Sequence, residues 1–304
     1  MSLMTRTEHA LSTHFEQAAG AGAPPRLVAA MRHAVFSGGA RIRPQLCIAV
    51  ATACGDNAPH LTNAAAVALE LMHCASLVHD DMPAFDNADT RRGLPTVHKA
   101  FSEPLALLAG DGLIVMAYRV LLQVGVQQPE RLVALMDNLT TGVGLPYGIV
   151  AGQAWECETS ADLGQYQRAK TGALFVSATC AGALSCGVAP EPWAFLGQYL
   201  GEAYQVADDI RDVIADAATL GKPSGQDTLH ARPSSAQALG LTGAITHFDH
   251  LIDQAAASIP ACYHRDMLCQ LVQHEAERLV PKAMCEGYFK THPKVADRPI
   301  SAPY

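Results

Sequence analysis

The sequence has no surplus of positive charge: 21 lysines and arginines stand against 29 aspartates and glutamates, a net charge of −8. A nucleic-acid partner normally needs a basic face, so no nucleic-acid partner is expected. None of the nine cysteines forms a C-x-x-C pair, and most sit inside alanine- and leucine-rich segments. Disulfide frameworks and zinc sites are thereby set aside, and the thiols read as reduced and buried. No apolar run approaches the roughly eighteen residues of a membrane span, because Asp, His, Glu and Gly interrupt every candidate. The N-terminal residues lack the basic-then-apolar layout of a secretory signal. A cytoplasmic protein with no transmembrane segment is the expectation. Alternating strand patterns and β-branched runs are scarce as well, which argues against a sheet.

What is abundant is helical periodicity. With 304 residues, 49% of them hydrophobic, the chain can bury a large core. Apolar residues recur at spacings of three and four, predicting helices over Leu61–Met82, Pro104–Val124, Glu130–Thr141, Leu163–Cys186, Pro192–Asp216 and Pro260–Met284. Breaks fall at Gly55-Asp56-Asn57, Pro83, Pro95, Pro190-Glu191-Pro192 and Gly221–Pro233, none long enough for a domain linker. The expected architecture is all-α: one helical domain over residues 1–304 with a flexible tail at Asp297–Tyr304.

The scarce charge is gathered in two places. HDDMPAFDNADTRRG (His79–Gly93) follows one apolar helix, and ADDIRD (Ala207–Asp212) ends another. Asp208 and Asp212 stand four apart and share a helix face, with Asp209 one step round. Uncompensated, they would disfavour the helix; an oxygen-loving cation reverses that sign. Mg²⁺ is typically held by one or two carboxylates, waters and substrate phosphates. Asp80 and Asp86 are six apart, but Pro83 lies between them, so the chain should bend near Met82 and bring Asp86 back beside Asp80. Arg91 and Arg92 follow at once, and SGGARIRP (Ser37–Pro44) adds Arg41 and Arg43. Arginine's planar fork suits phosphate, so carboxylate–Mg²⁺ and arginine together point to a diphosphate. Ordinary Asp–Arg pairing is the alternative that adjacency leaves open.

GGARIRP, HDDMPAFDNADTRRG, KTGALF, YQVADDIRD and GKPSGQD occur in this order, and together they resemble the trans-isoprenyl diphosphate synthases (polyprenyl synthetases) over about residues 30–285. HCASLVHDDMPAF, AGQAWECE, EPWAFLG and AYQVADDIRD look most like the bacterial geranylgeranyl diphosphate synthases of carotenoid pathways. The resemblance implies a helical bundle around a deep cavity, usually homodimeric. It also implies three Mg²⁺ ions clamping an allylic diphosphate (dimethylallyl, geranyl or farnesyl) that is condensed with isopentenyl diphosphate. Loss of pyrophosphate leaves an allylic cation, the isopentenyl double bond attacks it, and a proton departs.

Carried over by position, the resemblance makes Asp80 and Asp86 principal metal ligands with Asp81 nearby, and Asp208 the principal ligand of the second motif with Asp209 and Asp212 in support. Arg91, Lys170, Thr171, Gln205 and Lys222 would contact the allylic diphosphate; Arg43, His73 and Arg92 would hold isopentenyl diphosphate. The catalytic group is then Asp80, Asp81, Asp86, Arg91, Lys170 and Asp208. Asp89 reads as a solvated loop charge. Two departures stand out: Ala40 replaces a lysine usual in the family, with Arg41 expected to cover part of its role, and Arg211 replaces an apolar residue.

Product length should depend on how far a tail can run past Asp80. Ala75 and Ser76 lie about one turn, ~6 Å, deeper and are small, which favours a C20 product over the C15 of farnesyl diphosphate synthases. Met72 and Leu69 could form the next floor. A class I terpene cyclase and a non-catalytic modulatory subunit are the competing readings.

Overall fold

Prolines mark where several helices begin. Their fixed φ and missing N–H are tolerated in a first turn, where no intrahelical partner exists for that N–H. Such starts open α2 (Pro25–Phe36), α4 (Pro59–Asp80), α6 (Glu103–Gly125) and α7 (Pro129–Val143). Helix α1 (Leu3–Ala19) uses a side-chain cap instead, the Ser2 hydroxyl accepting from the Thr5 N–H. The computed structural model describes residues 2–158, 166, 168–214 and 235–291. The remaining elements are α3 (Ile42–Ala53), α5 (Val97–Ala100), α8 (Ile149–Ala154), a 3₁₀ turn (Trp155–Cys157), a π-turn (Arg168–Gly172), α9 (Ala173–Ser185), α10 (Glu191–Ile214), α11 (Ser235–Ser258), α12 (Arg265–Leu279) and α13 (Lys282–Thr291). The fold is all-α, as expected.

Helix α4 is the centre of the bundle. It packs against α1, α2, α3, α6, α7, α8 and α9, and its alanines at 64, 65, 66, 68 and 75 let neighbours approach. A helix apolar nearly all round belongs inside a core. Its last residue, Asp80, therefore emerges from the core at one end of the bundle.

The structure corrects several expectations. Leu163–Cys186 is not one α-helix: the described part holds a π-turn and then α9. Pro260–Met284 is two helices, because Pro281 cannot continue α12 and holds Val280 extended at φ −130°, ψ 80°. Helices α1, α2, α3 and α11 lie outside the main predicted segments; α3 is buried on several faces and so offers no clear period, and α11 is interrupted at Gly240, φ 69°. The end of Pro192–Asp216, the break at Gly221–Pro233 and the tail 297–304 fall outside the described residues.

A small hairpin was also missed. Thr90–Arg91 pairs with Leu94–Pro95, and the two-residue turn has positive φ at Arg92 (54°) and Gly93 (77°), the geometry of a tight hairpin turn.

Among the described residues two helices, α4 and α6, are long and apolar enough to cross a membrane by length and composition, contrary to expectation. Scattered polar residues do not lower the average enough. In α4, however, 78% of the apolar stretch is buried within the protein; in α6 only 44% is. All nine cysteines are free, and Cys157 is exposed where burial was expected.

Candidate functional site

The first acidic motif is built where α4 stops. Asp80 is the last helical residue and Asp81 its cap. The chain then folds back, the Asp86 N–H donating to the Asp80 carbonyl at 3.0 Å and the Ala88 N–H to the Asp81 carbonyl at 3.1 Å. The bend at Pro83 thus returns Asp86 to the helix end. Asp89 points away, its side chain 79% exposed and paired with Lys99 at 2.9 Å. The hairpin that follows turns Arg91 inward. Its Nε donates to both Asp81 oxygens at 2.8 Å, and its Nη2 lies 2.6 Å from Asp81 and 3.7 Å from Asp80. Asp81 is buried and clamped to Arg91, so in this structure it orients the arginine. Arg92 donates to the Gly38 carbonyl. A Cβ on Gly39 would lie 2.6 Å from the Arg92 guanidinium, and both glycines have positive φ, 92° and 125°. The glycine pair is there to let Arg92 lie against the backbone.

Lys170 reaches the same carboxylate from the π-turn. Its Nζ lies 3.3 Å from Asp80 Oδ1 and 2.6 Å from Glu156 Oε1. Gln153 donates to Asp80 Oδ1 as well, and the Tyr166 hydroxyl donates to Glu156 Oε1 at 2.6 Å. Gln153 and Glu156 were missed as site residues. Their signal, AGQAWECE, is visible only as a family texture, since nothing in its spacing says that a lysine will dock there. Despite its cationic neighbours, Asp80 has its pKa raised, first by burial and then by Asp86.

Two glycines fix the π-turn from either side. A Cβ on Gly152 would stand 2.3 Å from the Lys170 backbone nitrogen, and one on Gly201 would stand 2.8 Å from Gly172 Cα. Backbone cannot yield as a flexible side chain can. Gly152→Ala should therefore displace Lys170, reducing catalytic turnover at least about ten-fold and lowering thermal stability by about 1–3 kcal/mol, as overpacking does. Turnover assays and calorimetry on the variant check this.

From Lys170 a chain of contacts leads to the second motif. The adjacent Thr171 donates to Gln205 Oε1 at 3.1 Å, and Gln205 Nε2 donates to Asp209 Oδ1 at 3.2 Å. Asp209 is buried, while the Asp208 side chain is 39% exposed and paired with Arg211. Asp212 keeps a buried Oδ1 with no hydrogen-bond partner.

Arg43 and His73 sit between these groups and the core. The Arg43 guanidinium lies 4.7 Å from the centre of the Phe175 ring, and its Nη1 lies 3.4 Å from His73 Nε2. Arg43 Nε and His73 Nδ1 are buried and unpartnered. Burial, then Arg43, Arg92, Arg91 and Arg41, holds the His73 pKa well below its usual 6.5. His73 is thus neutral when folded. A depressed histidine stabilises the fold above its unfolded pKa, and that stability is lost as pH falls through about 6.5, by up to about 1.4 kcal/mol per pH unit. His73→Asn should flatten the slope of stability against pH just below about 6.5, measured by denaturant unfolding.

Arg41 does not take the role expected of it. It is 4% exposed, in the left-handed region at φ 49°, with Nε on Glu8 and Nη1 on Glu70, each at 2.8 Å, and Nη2 on the Val35 carbonyl at 2.6 Å. Its donors are spent joining α1 to α4 and to the end of α2. The sequence hid this because Glu8 and Glu70 are remote and solvent-facing by type. Lys222 lies outside the described residues.

Among the described residues, no three His, Cys, Asp or Glu side chains converge to hold a metal unaided. The donor set nonetheless fits Mg²⁺ shared with a diphosphate. It offers carboxylates from two helix ends, an orphaned Asp212 oxygen, and orphaned nitrogens on Arg43, Arg211 and His73. These unpartnered buried groups are costly unless a ligand satisfies them.

The all-α bundle thus joins two acidic motifs through lysine, threonine and glutamine, with arginines alongside. The chain is a member of the polyprenyl synthetase family, which it matches over residues 24–259. It is 52% identical over 281 residues to the geranylgeranyl diphosphate synthase of Cereibacter sphaeroides, covering 92% of this chain and 98% of the relative. Identity to the geranylgeranyl diphosphate synthase of Rhodobacter capsulatus is 50% over 280 residues, covering 92% and 97%. Its fold is similar to an FPP/GFPP synthase of Zymomonas mobilis, with a TM-score of 0.76, 32% identity, and coverage of 90% and 98%. A geranyltransferase of Helicobacter pylori, crystallised with magnesium and isoprenyl diphosphate, gives a TM-score of 0.75 at 27% identity, covering 95% and 96%.

Proposed function

We propose that the chain is a Mg²⁺-dependent prenyltransferase that condenses isopentenyl diphosphate with an allylic diphosphate to linear geranylgeranyl diphosphate. The observation that carries this reading is the run of contacts Asp80–Lys170 and Thr171–Gln205–Asp209, which ties the two acidic motifs together. The identity to two geranylgeranyl diphosphate synthases supports the product assignment.

Magnesium would be held by Asp80, Asp86, Asp208, Asp209 and Asp212, three ions being the family expectation, and supplies charge neutralisation for the departing diphosphate. Lys170 and Arg91 bind the allylic diphosphate beside Asp80; Glu156 orients Lys170, Gln153 orients Asp80, and Asp81 orients Arg91. Thr171, Gln205 and Lys222 complete that subsite. Arg43, His73 and Arg92 bind isopentenyl diphosphate, with neutral His73 as donor or acceptor and no added charge.

Ala75 is buried and the Ser76 hydroxyl donates to the His73 carbonyl at 2.8 Å, so neither presents a free polar group to a prenyl tail. Met72, at 2% exposure, is the next floor candidate. Ser76→Phe should shift the main product from C20 toward C15, read by chromatography of the dephosphorylated alcohols; an unchanged product would sink the floor assignment.

The exposed apolar face of α6, with Leu107, Leu108, Val115 and Leu122 all about half exposed or more, supports a homodimer through a second copy. A cytoplasmic location accords with the diphosphate substrates. Incubation with Mg²⁺, farnesyl diphosphate and isopentenyl diphosphate tests the function. A linear C20 diphosphate is expected; a hydrocarbon would mean a cyclase, and no turnover a modulatory subunit.

A further inference from the structure

Arg211 stands among the aspartates of the second motif, where another cation competes with any metal. It lies three residues after Asp208 on α10, one turn along the same face, and its Nη2 pairs with Asp208 Oδ1. Its Nε is buried and has no partner, so only part of the donor fork is engaged. The pairing is also selective. Asp209 is 2% exposed and takes a hydrogen bond from Gln205, and Asp212 has an unpartnered buried oxygen. Asp208, with its side chain 39% exposed, is open to an arriving ligand, and it is the carboxylate that Arg211 covers.

We infer that Arg211 is a built-in counter-ion of the second motif. It holds Asp208 in the metal-free protein and yields that carboxylate to Mg²⁺ when the allylic diphosphate binds. The inference rests on the metal-binding reading above. Two features make exchange feasible. Both partners are partly exposed, at 28% and 39%, so the pair is screened and weak enough to break. A divalent ion bridging to diphosphate oxygens then brings more charge to Asp208 than one guanidinium does. The consequence is a positioning role with a cost: Arg211 keeps the acidic helix end assembled without metal, and it raises the Mg²⁺ concentration needed to load the site.

Titration of the full-length protein with Mg²⁺, in the presence of an unreactive allylic S-thiolodiphosphate, reads this directly by calorimetry and by melting temperature. Arg211→Leu should lower the half-saturating Mg²⁺ concentration about two- to five-fold, the range a partly exposed ion pair covers. It should also lower the melting temperature without Mg²⁺ and widen the gain on loading. Arg211→Lys, which keeps the charge, should stay near wild type, and Arg211→Gln serves as the second charge-removing variant should the leucine substitution not fold. A half-saturation that is unchanged in a folded charge-removing variant (Arg211→Leu or Arg211→Gln), or one that rises because Arg211 binds the diphosphate itself, would overturn the inference. Wild-type protein that takes up no Mg²⁺ with the analogue would instead sink the functional reading and the inference with it.

Discussion

Asp80→Asn should reduce kcat/KM by on the order of 10³-fold while leaving the metal-free protein at least as stable as wild type. The two halves of that result have separate causes. Asp80 is where Lys170, Gln153 and Arg91 converge from three different elements. Loss of its charge removes the anchor of Lys170 and an oxygen proposed to bind metal, interactions worth several kcal/mol to a developing diphosphate charge, at about 1.4 kcal/mol per ten-fold in rate. Stability follows the opposite sign. Burial raises the Asp80 pKa above the usual 3.8, so its ionised form costs folding energy once pH exceeds the folded value. Asparagine removes that cost near neutral pH. Kinetics and thermal melts on one preparation separate the effects: a variant that loses activity only because it unfolds would contradict the assignment of Asp80 to the site.

The second large effect lies away from the site. Glu70→Ala should destabilise the fold by about 3–5 kcal/mol, because it strands a buried guanidinium. Arg41 is 2% exposed at its side chain and Glu70 3%, and the pair locks α4 to the start of α3. Burial works against the Arg41 charge, but Glu70 and Glu8 overcome it and raise the pKa. Removing both charges is a different matter: Arg41→Met with Glu70→Leu should recover most of the loss, since a buried pair is often matched by packed apolar side chains. Denaturant unfolding of the single and double variants checks this. A mild single-variant effect would mean that the pair is more solvated than its 2.8 Å geometry implies.

Much of this molecule was legible in its sequence because helical period and charge scarcity are local properties. The apolar spacing of Leu61–Met82 led to α4, and Pro83 between Asp80 and Asp86 led to the bend that the Asp86 N–H to Asp80 carbonyl bond records. Long-range partners were not legible. Arg41 looked like a phosphate ligand because its neighbours in sequence are basic and glycine-rich, whereas its function is set by Glu8 and Glu70. Gln153 and Glu156 carry no spacing rule of their own; only the docking of α8 on the π-turn, with Gly152 against the Lys170 backbone, brings them to Asp80. The hairpin escaped notice because two-residue strands have too few positions for a pattern. Helix α6 shows the remaining kind of gap: a sequence reports that a face is apolar, not what covers it.

The central claim is that both acidic motifs hold one diphosphate through shared Mg²⁺. A double-mutant cycle of Asp80→Asn and Asp208→Asn, read as the Mg²⁺-dependent affinity for an allylic S-thiolodiphosphate, tests it most directly. Shared binding predicts that the double variant loses less than the sum of the single losses, with a coupling of about 0.5–3 kcal/mol. Losses that add within about 0.5 kcal/mol would show two independent sites and contradict the account.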